Sequence, residues 1–143
     1  MASKREEVLQ ALFAVLEGIS GPKVLRNENL PERIPSGGLI ILRDGDPGEP
    51  EVLMSPLNYV YDHFAEAEVL IDAPTPAARD AAFDAVIGAI GTAVAQDRTL
   101  GGLCDYVRAD APAPVDLIVE GAPGFKAAVV PIVLTYGTAD PLG

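Results

Sequence analysis

Apolar residues at Val8, Leu9, Leu12, Phe13, Leu16 and Ile19 recur at three- and four-residue steps, which places them on one face of a helix. Ser3-Lys4-Arg5-Glu6 precedes them as a capping box, and Gly21-Pro22 follows as a stop, predicting a helix over about residues 4–19. The period then changes. A short extended piece near Lys23–Arg26 leads into "GGLIILRDGDPGEPEVLMSP", which reads as a hairpin. Its arms are Leu39–Arg43 and Glu51–Ser55, and the acidic "DGDPGEPE" is its tip.

The next stretch alternates. Tyr59, Tyr61, His63, Ala65, Ala67, Val69 and Ile71 fall on one face, and Asp62, Glu66, Glu68 and Asp72 on the other. One strand over Tyr59–Ile71 would span roughly 43 Å at 3.3 Å per residue. That length calls for a bulge, or for a strand that reaches past its own sheet. Thr75 as N-cap and Pro76 at the first turn open a second helix over about 76–96, with the stripe Phe83, Val86, Ile87, Ile90 and Val94. In "DRTLGGLC", Leu100 folds back over the helix end, Gly101 takes a left-handed cap and a strand begins near Leu103. Val115–Glu120 alternates again, "GAPG" turns, and Phe125–Thr138 is a last strand. Pro131 within it demands an edge, a bulge or a break. The order predicts an α+β fold of two layers, a mostly antiparallel sheet with two helices packed on one face.

Composition narrows the function. A chain of 143 residues suits one domain and buries enough surface to need no disulfide or metal staple. Its one cysteine fits a reducing compartment. The N-terminus lacks the apolar core of a signal peptide, and no apolar run is long enough to span a bilayer. The net charge of −11, with no Lys or Arg between Arg43 and Arg79, argues against tight nucleic-acid binding.

Candidate chemistry is sparse. Cys104 beside Gly101-Gly102 is a possible nucleophile with His63 as base, but it has no local signature, and a small packed residue is the ordinary reading. The single histidine cannot build a nitrogen or sulfur metal site by itself. The acidic tip lacks the ligand spacing and the final glutamate of a calcium loop. Neither "SGGLI" nor "LGGLC" matches a phosphate loop, and no Ser stands in a GxSxG elbow. No catalytic, cofactor or metal residues are assigned, and no cofactor is expected.

The capped first helix, the hairpin, the "YVYDHFAEAEVLID" strand, the Ala-rich helix closing on "DRTLGGLCDYVR" and the final "VVPIVLTYGT" strand together resemble another group. It is the tail terminator, or tail completion, proteins of long-tailed phages. These include the minor tail protein U type and relatives in prophages and gene transfer agents. The resemblance covers nearly all of residues 1–143 as one domain. It implies a non-enzymatic structural protein of the virion tail, assembled in the bacterial cytoplasm. Such a protein forms a ring with copies of itself, typically a hexamer. The ring docks on the tail tube protein, ends tube growth and offers a surface to the head–tail connector. An acidic lumen would let DNA slide past without sticking. The family's contact residues follow no motif, so interface candidates come from chemistry alone. They are Asp44, Asp46 and Glu49 at the acidic tip, with Arg43 and Arg108 as charged partners across a subunit boundary. Two other readings stand beside this one: another neck or tail-tube protein, and a small enzyme using Cys104 and His63.

Overall fold

The structure, a computed structural model, describes residues 2–115 and 125–143. Helix α1 covers Lys4–Glu17, followed by strands β1 (Lys23–Arg26), β2 (Leu39–Asp46), β3 (Glu51–Met54) and β4 (Leu57–Asp72). Helix α2 is Pro76–Gln96, followed by β5 (Tyr106–Ala109), β6 (Ala113–Pro114) and β7 (Phe125–Thr138). The fold is α+β. The described strands form one seven-stranded sheet in the order β1-β2-β4-β7-β5, with β3 on β4 and β6 on β7. Only β1 and β2 run parallel; the other pairs are antiparallel.

The predicted alternation of β4 sets the layers. Tyr61, His63, Ala65, Ala67, Val69 and Ile71 are buried, while Asp62, Phe64, Glu66 and Asp72 are exposed. The buried face meets Val8, Leu9, Leu12 and Leu16 of α1 and Val86, Ile90 and Val94 of α2 in one core. Both helices therefore cover the same face of the sheet. Lys126 of β7 ties α2 down, bonding Asp80 at 2.8 Å with its ammonium 4.6 Å from the Phe83 ring. On the opposite face, Leu39, Ile41 and Leu70 form a smaller cluster beneath Ile34.

The helix ends follow local chemistry, with two corrections. Ser3 Oγ accepts from Glu6 N at 3.2 Å, but the return half of the capping box is not made. Both carboxylate oxygens of Glu6 instead take hydrogen bonds from Arg26. The helix also stops at Glu17, a turn before Gly21-Pro22, with Gly18 as its cap in right-handed conformation. Thr75 caps α2 as expected, its Oγ1 accepting from Ala78 N at 3.2 Å, with Pro76 in the first turn.

The hairpin is where expectation and structure part most clearly. The turn lies at Ser55-Pro56, joined by a cis peptide bond, and β3 pairs with β4 from Met54↔Leu57 to Glu51↔Val60. "DGDPGEPE" is no tip. It begins with a β-bulge between Arg43 and Asp46, where Asp44 and Gly45 together oppose Ala65. Gly45 has φ +71°, and a Cβ there would collide with the Phe64 carbonyl. Only glycine fits such a left-handed position pressed against a neighbouring backbone. β2 and β3 are thus consecutive partners along one edge of β4, which runs unbroken for 16 residues.

Pro131 does not break β7, which is continuous from Phe125 to Thr138. β5 ends opposite Ile132 and β6 begins opposite Val129, so the missing donor of Pro131 falls in the gap between two edge strands. Its carbonyl is still used, accepting from Asp110 N at 2.8 Å. The alternation expected over Val115–Glu120 and the "GAPG" turn lie outside the described residues, except Val115, whose N–H bonds Ala127 O.

Candidate interaction surface

The β3–β4 hairpin continues the core face of the sheet, and no helix among the described residues covers it. Cross-strand partners share a face, so Met54 with Leu57 and Val52 with Tyr59 extend the row that runs on to the buried Tyr61. Met54 is 76% exposed, and Val52, Leu53 and Leu57 about half that or more. Every residue of β3 is exposed, and its outer backbone edge has no partner strand among the described residues. An apolar edge strand of this kind is a template for pairing with another chain. On the other face, Phe64 of β4 and Tyr106 of β5 are each 49% exposed.

The root of the hairpin is held by polar side chains. Arg26 Nη1 and Nη2 donate to Glu6 Oε2 and Oε1 at 2.7 and 2.8 Å, a bidentate grip, and its Nε donates to Asp44 Oδ1 at 2.9 Å. One guanidinium on β1 thereby joins α1 to the bulge. The hydrogen bonds from Arg26 hold the Glu6 carboxyl below its ordinary range. Burial pushes the Asp44 carboxyl up, but hydrogen bonds from Arg26 and Asn27 outweigh it and leave a net lowering.

His63 lies directly behind the bulge, fully buried. Its Nε2 is 2.5 Å from the Asp44 carbonyl oxygen and its Nδ1 is 2.9 Å from Tyr136 Oη. A carbonyl only accepts, so Nε2 carries the proton and Nδ1 accepts from the tyrosine hydroxyl. Burial is the main cause that depresses the histidine pKa below its ordinary value.

The five candidates from sequence do not gather into one surface. Asp44 is at the bulge, bound to Arg26, and not at a tip. Asp46 ends β2, with its Oδ1 accepting from Gly48 N at 2.8 Å, and the exposed Glu49 lies in the link to β3. Arg43 bonds Glu68 across the sheet at 3.2 Å, and Arg108 bonds Asp110 at 3.0 Å on the far edge. Each arginine thus already has an acidic partner within the chain. The apolar residues of the hairpin, which sequence reading used only as strand arms, are the ones left uncovered. Their signal was present in "EVLMSPL", apolar side chains flanking a Ser-Pro turn, but the glycine-rich acidic stretch beside it is a stronger turn signal.

"DRTLGGLC" closes α2 as a turn. Asp97 accepts from Thr99 N at 3.1 Å and Gly101 N at 2.8 Å. Leu100 folds back into the core as expected, with φ +49°, and Gly101 is left-handed with φ +70°, although the residue that caps the helix is Asp97. β5 begins at Tyr106, so the buried Cys104 sits before the strand. Burial pushes its thiol up to about 11. It is a protonated thiol at neutral pH, and both ring nitrogens of His63 are engaged by other groups.

Among the described residues no cluster of His, Cys, Asp and Glu could hold a metal ion, and no helix is long and apolar enough to cross a membrane. No family model matches the chain, and no curated protein matches it either.

Proposed function

We propose that this chain is a structural subunit of a phage-type tail that associates with copies of itself into a ring on the end of the tail tube. There it ends tube polymerisation and presents a surface for head–tail joining. The observation that carries this reading is the uncovered β3–β4 hairpin, whose apolar face prolongs the core row past Tyr61. A neighbouring subunit would cover that face, and the open β3 edge suits strand addition. A ring requires this hairpin to meet a different surface of the next copy, a head-to-tail contact whose rotation closes. The tail-terminator resemblance of the sequence supplies the biological setting, and the net charge of −11 suits a passage through which DNA moves without being held.

The test is tube growth. Purified protein added to polymerising tail-tube protein of the same virion should stop elongation and leave a ring visible at tube ends by electron microscopy. Met54→Asp with Leu57→Asp should abolish both. Tubes that lengthen unchanged in the presence of folded protein would contradict the reading.

A further inference from the structure

His63 is the one histidine of the chain and a fully buried one. It sits where β2 gives way to the segment that feeds the hairpin. Through Asp44 it is linked to Arg26 and so to Glu6 of α1; through Nδ1 it is linked to Tyr136 of β7. The arrangement is that of a neutral ring. A second proton on Nδ1 would face the hydroxyl of Tyr136, which now donates. That hydroxyl would have to turn and accept, and its own proton would need a new partner. The space beside Tyr136 is a cavity of about 20 Å³ lined with Arg5, Pro47, Tyr61 and Thr138, room for a single water.

The surrounding charges do not rescue an imidazolium in place. From α1, Arg5 opposes it. From the bulge, Asp44 and Asp46 favour it, but the Asp44 carboxylate is turned to Arg26 and only its backbone carbonyl meets the ring. From β7 there is the phenol of Tyr136, with the Cys104 thiol near it, and from β4 itself the phenol of Tyr61. Burial raises both Tyr136 and Cys104, so neither supplies a negative charge at physiological pH. A proton on His63 is best accommodated by opening the bulge and admitting water.

We infer that His63 is a proton-sensing latch: its neutral ring holds the bulge closed and the β3–β4 hairpin in place, and mild acid releases both. The single histidine gives one C2 proton resonance, so its titration can be read by NMR without assignment. Amide hydrogen exchange, corrected for the intrinsic pH effect, reads the latch itself. In the wild type, protection at Asp44–Asp46 and Glu51–Leu57 should fall by up to about tenfold per pH unit below the onset of opening, the limit for linkage to one proton. Protection at Ile90 and Val94 of α2 should not change. His63→Gln keeps a donor for the Asp44 carbonyl but cannot titrate, and its hairpin should be insensitive to pH from 7.5 to 5. Tyr136→Phe removes the donor that favours the neutral ring, so the transition should move to higher pH. A wild-type hairpin whose protection ignores pH, or one that loosens equally in His63→Gln, would overturn the inference. Should His63→Gln fail to fold, Tyr136→Phe decides: a transition that stays put or moves to lower pH also overturns it.

Discussion

Arg26 Nε donates to Asp44 Oδ1 at 2.9 Å while the other two nitrogens of the same guanidinium grip Glu6. Asp44 is where β2 bulges, and the chain beyond it becomes the hairpin. A single side chain therefore ties the bulge, from which the chain runs on to the hairpin, to helix α1. Arg26→Lys keeps the charge but not the planar fork and should cost about 1 kcal/mol; Arg26→Leu should cost about 2 kcal/mol, since the carboxylates it leaves behind are partly solvated. Urea denaturation of both variants, with unchanged m-values, checks the order.

The bulge makes a second prediction, in which two glycines of equal conformation part company. Gly45 and Gly48 both have φ +71°, but a Cβ at Gly45 meets the Phe64 backbone whereas one at Gly48 meets nothing within 4 Å. Gly48→Ala should cost only the left-handed penalty, about 1 kcal/mol. Gly45→Ala adds a backbone collision and should cost at least about twice that. Equal losses in thermal or urea unfolding would contradict the register of β2 on β4.

Acid stability follows from the same pair. Glu6 and Asp44 both have folded pKa values below their ordinary values of 4.5 and 3.8. The unfolded chain binds these protons more readily, so their contribution is complete above pH 4.5 and is lost as pH falls through that range. Arg26→Leu should flatten the dependence of stability on pH below 4.5, and the two proteins should differ least at the acid end.

How far the sequence reached can be judged from these elements. The alternation of β4, the Thr75-Pro76 start of α2 and the bounds of β1 were legible, because each depends on neighbours within a turn or on a period. The layer arrangement followed from them. The bulge was not legible: Gly45 beside aspartates and a proline has the composition of a hairpin tip, and only the partner strand decides that it is a bulge. Nor was the polar chain through Arg26, Asp44, His63 and Tyr136, whose members are separated by 18, 19 and 73 positions. The capping box failed for a related reason. The local donor for the Glu6 carboxylate, the Ser3 backbone N–H, lost to a distant guanidinium.

Cys104 gives a prediction on reactivity. A thiol raised to about 11 and buried in the core should resist a neutral alkylating reagent at pH 7.5 and react fully once the chain is unfolded. Cys104→Ala should lose about 1 kcal/mol of packing. Rapid labelling of the native protein at neutral pH would show a thiolate that this geometry does not provide.

The central claim is that the β3–β4 hairpin is covered by a second copy of this chain. The direct measurement is mass by light scattering on a sizing column, over a range of concentrations and with tail tubes added. The wild type should form one closed multiple of the monomer mass, alone or when recruited to tubes. Met54→Asp with Leu57→Asp should remain a folded monomer in both settings. A wild-type protein that stays monomeric at every concentration and ignores the tubes would contradict the account.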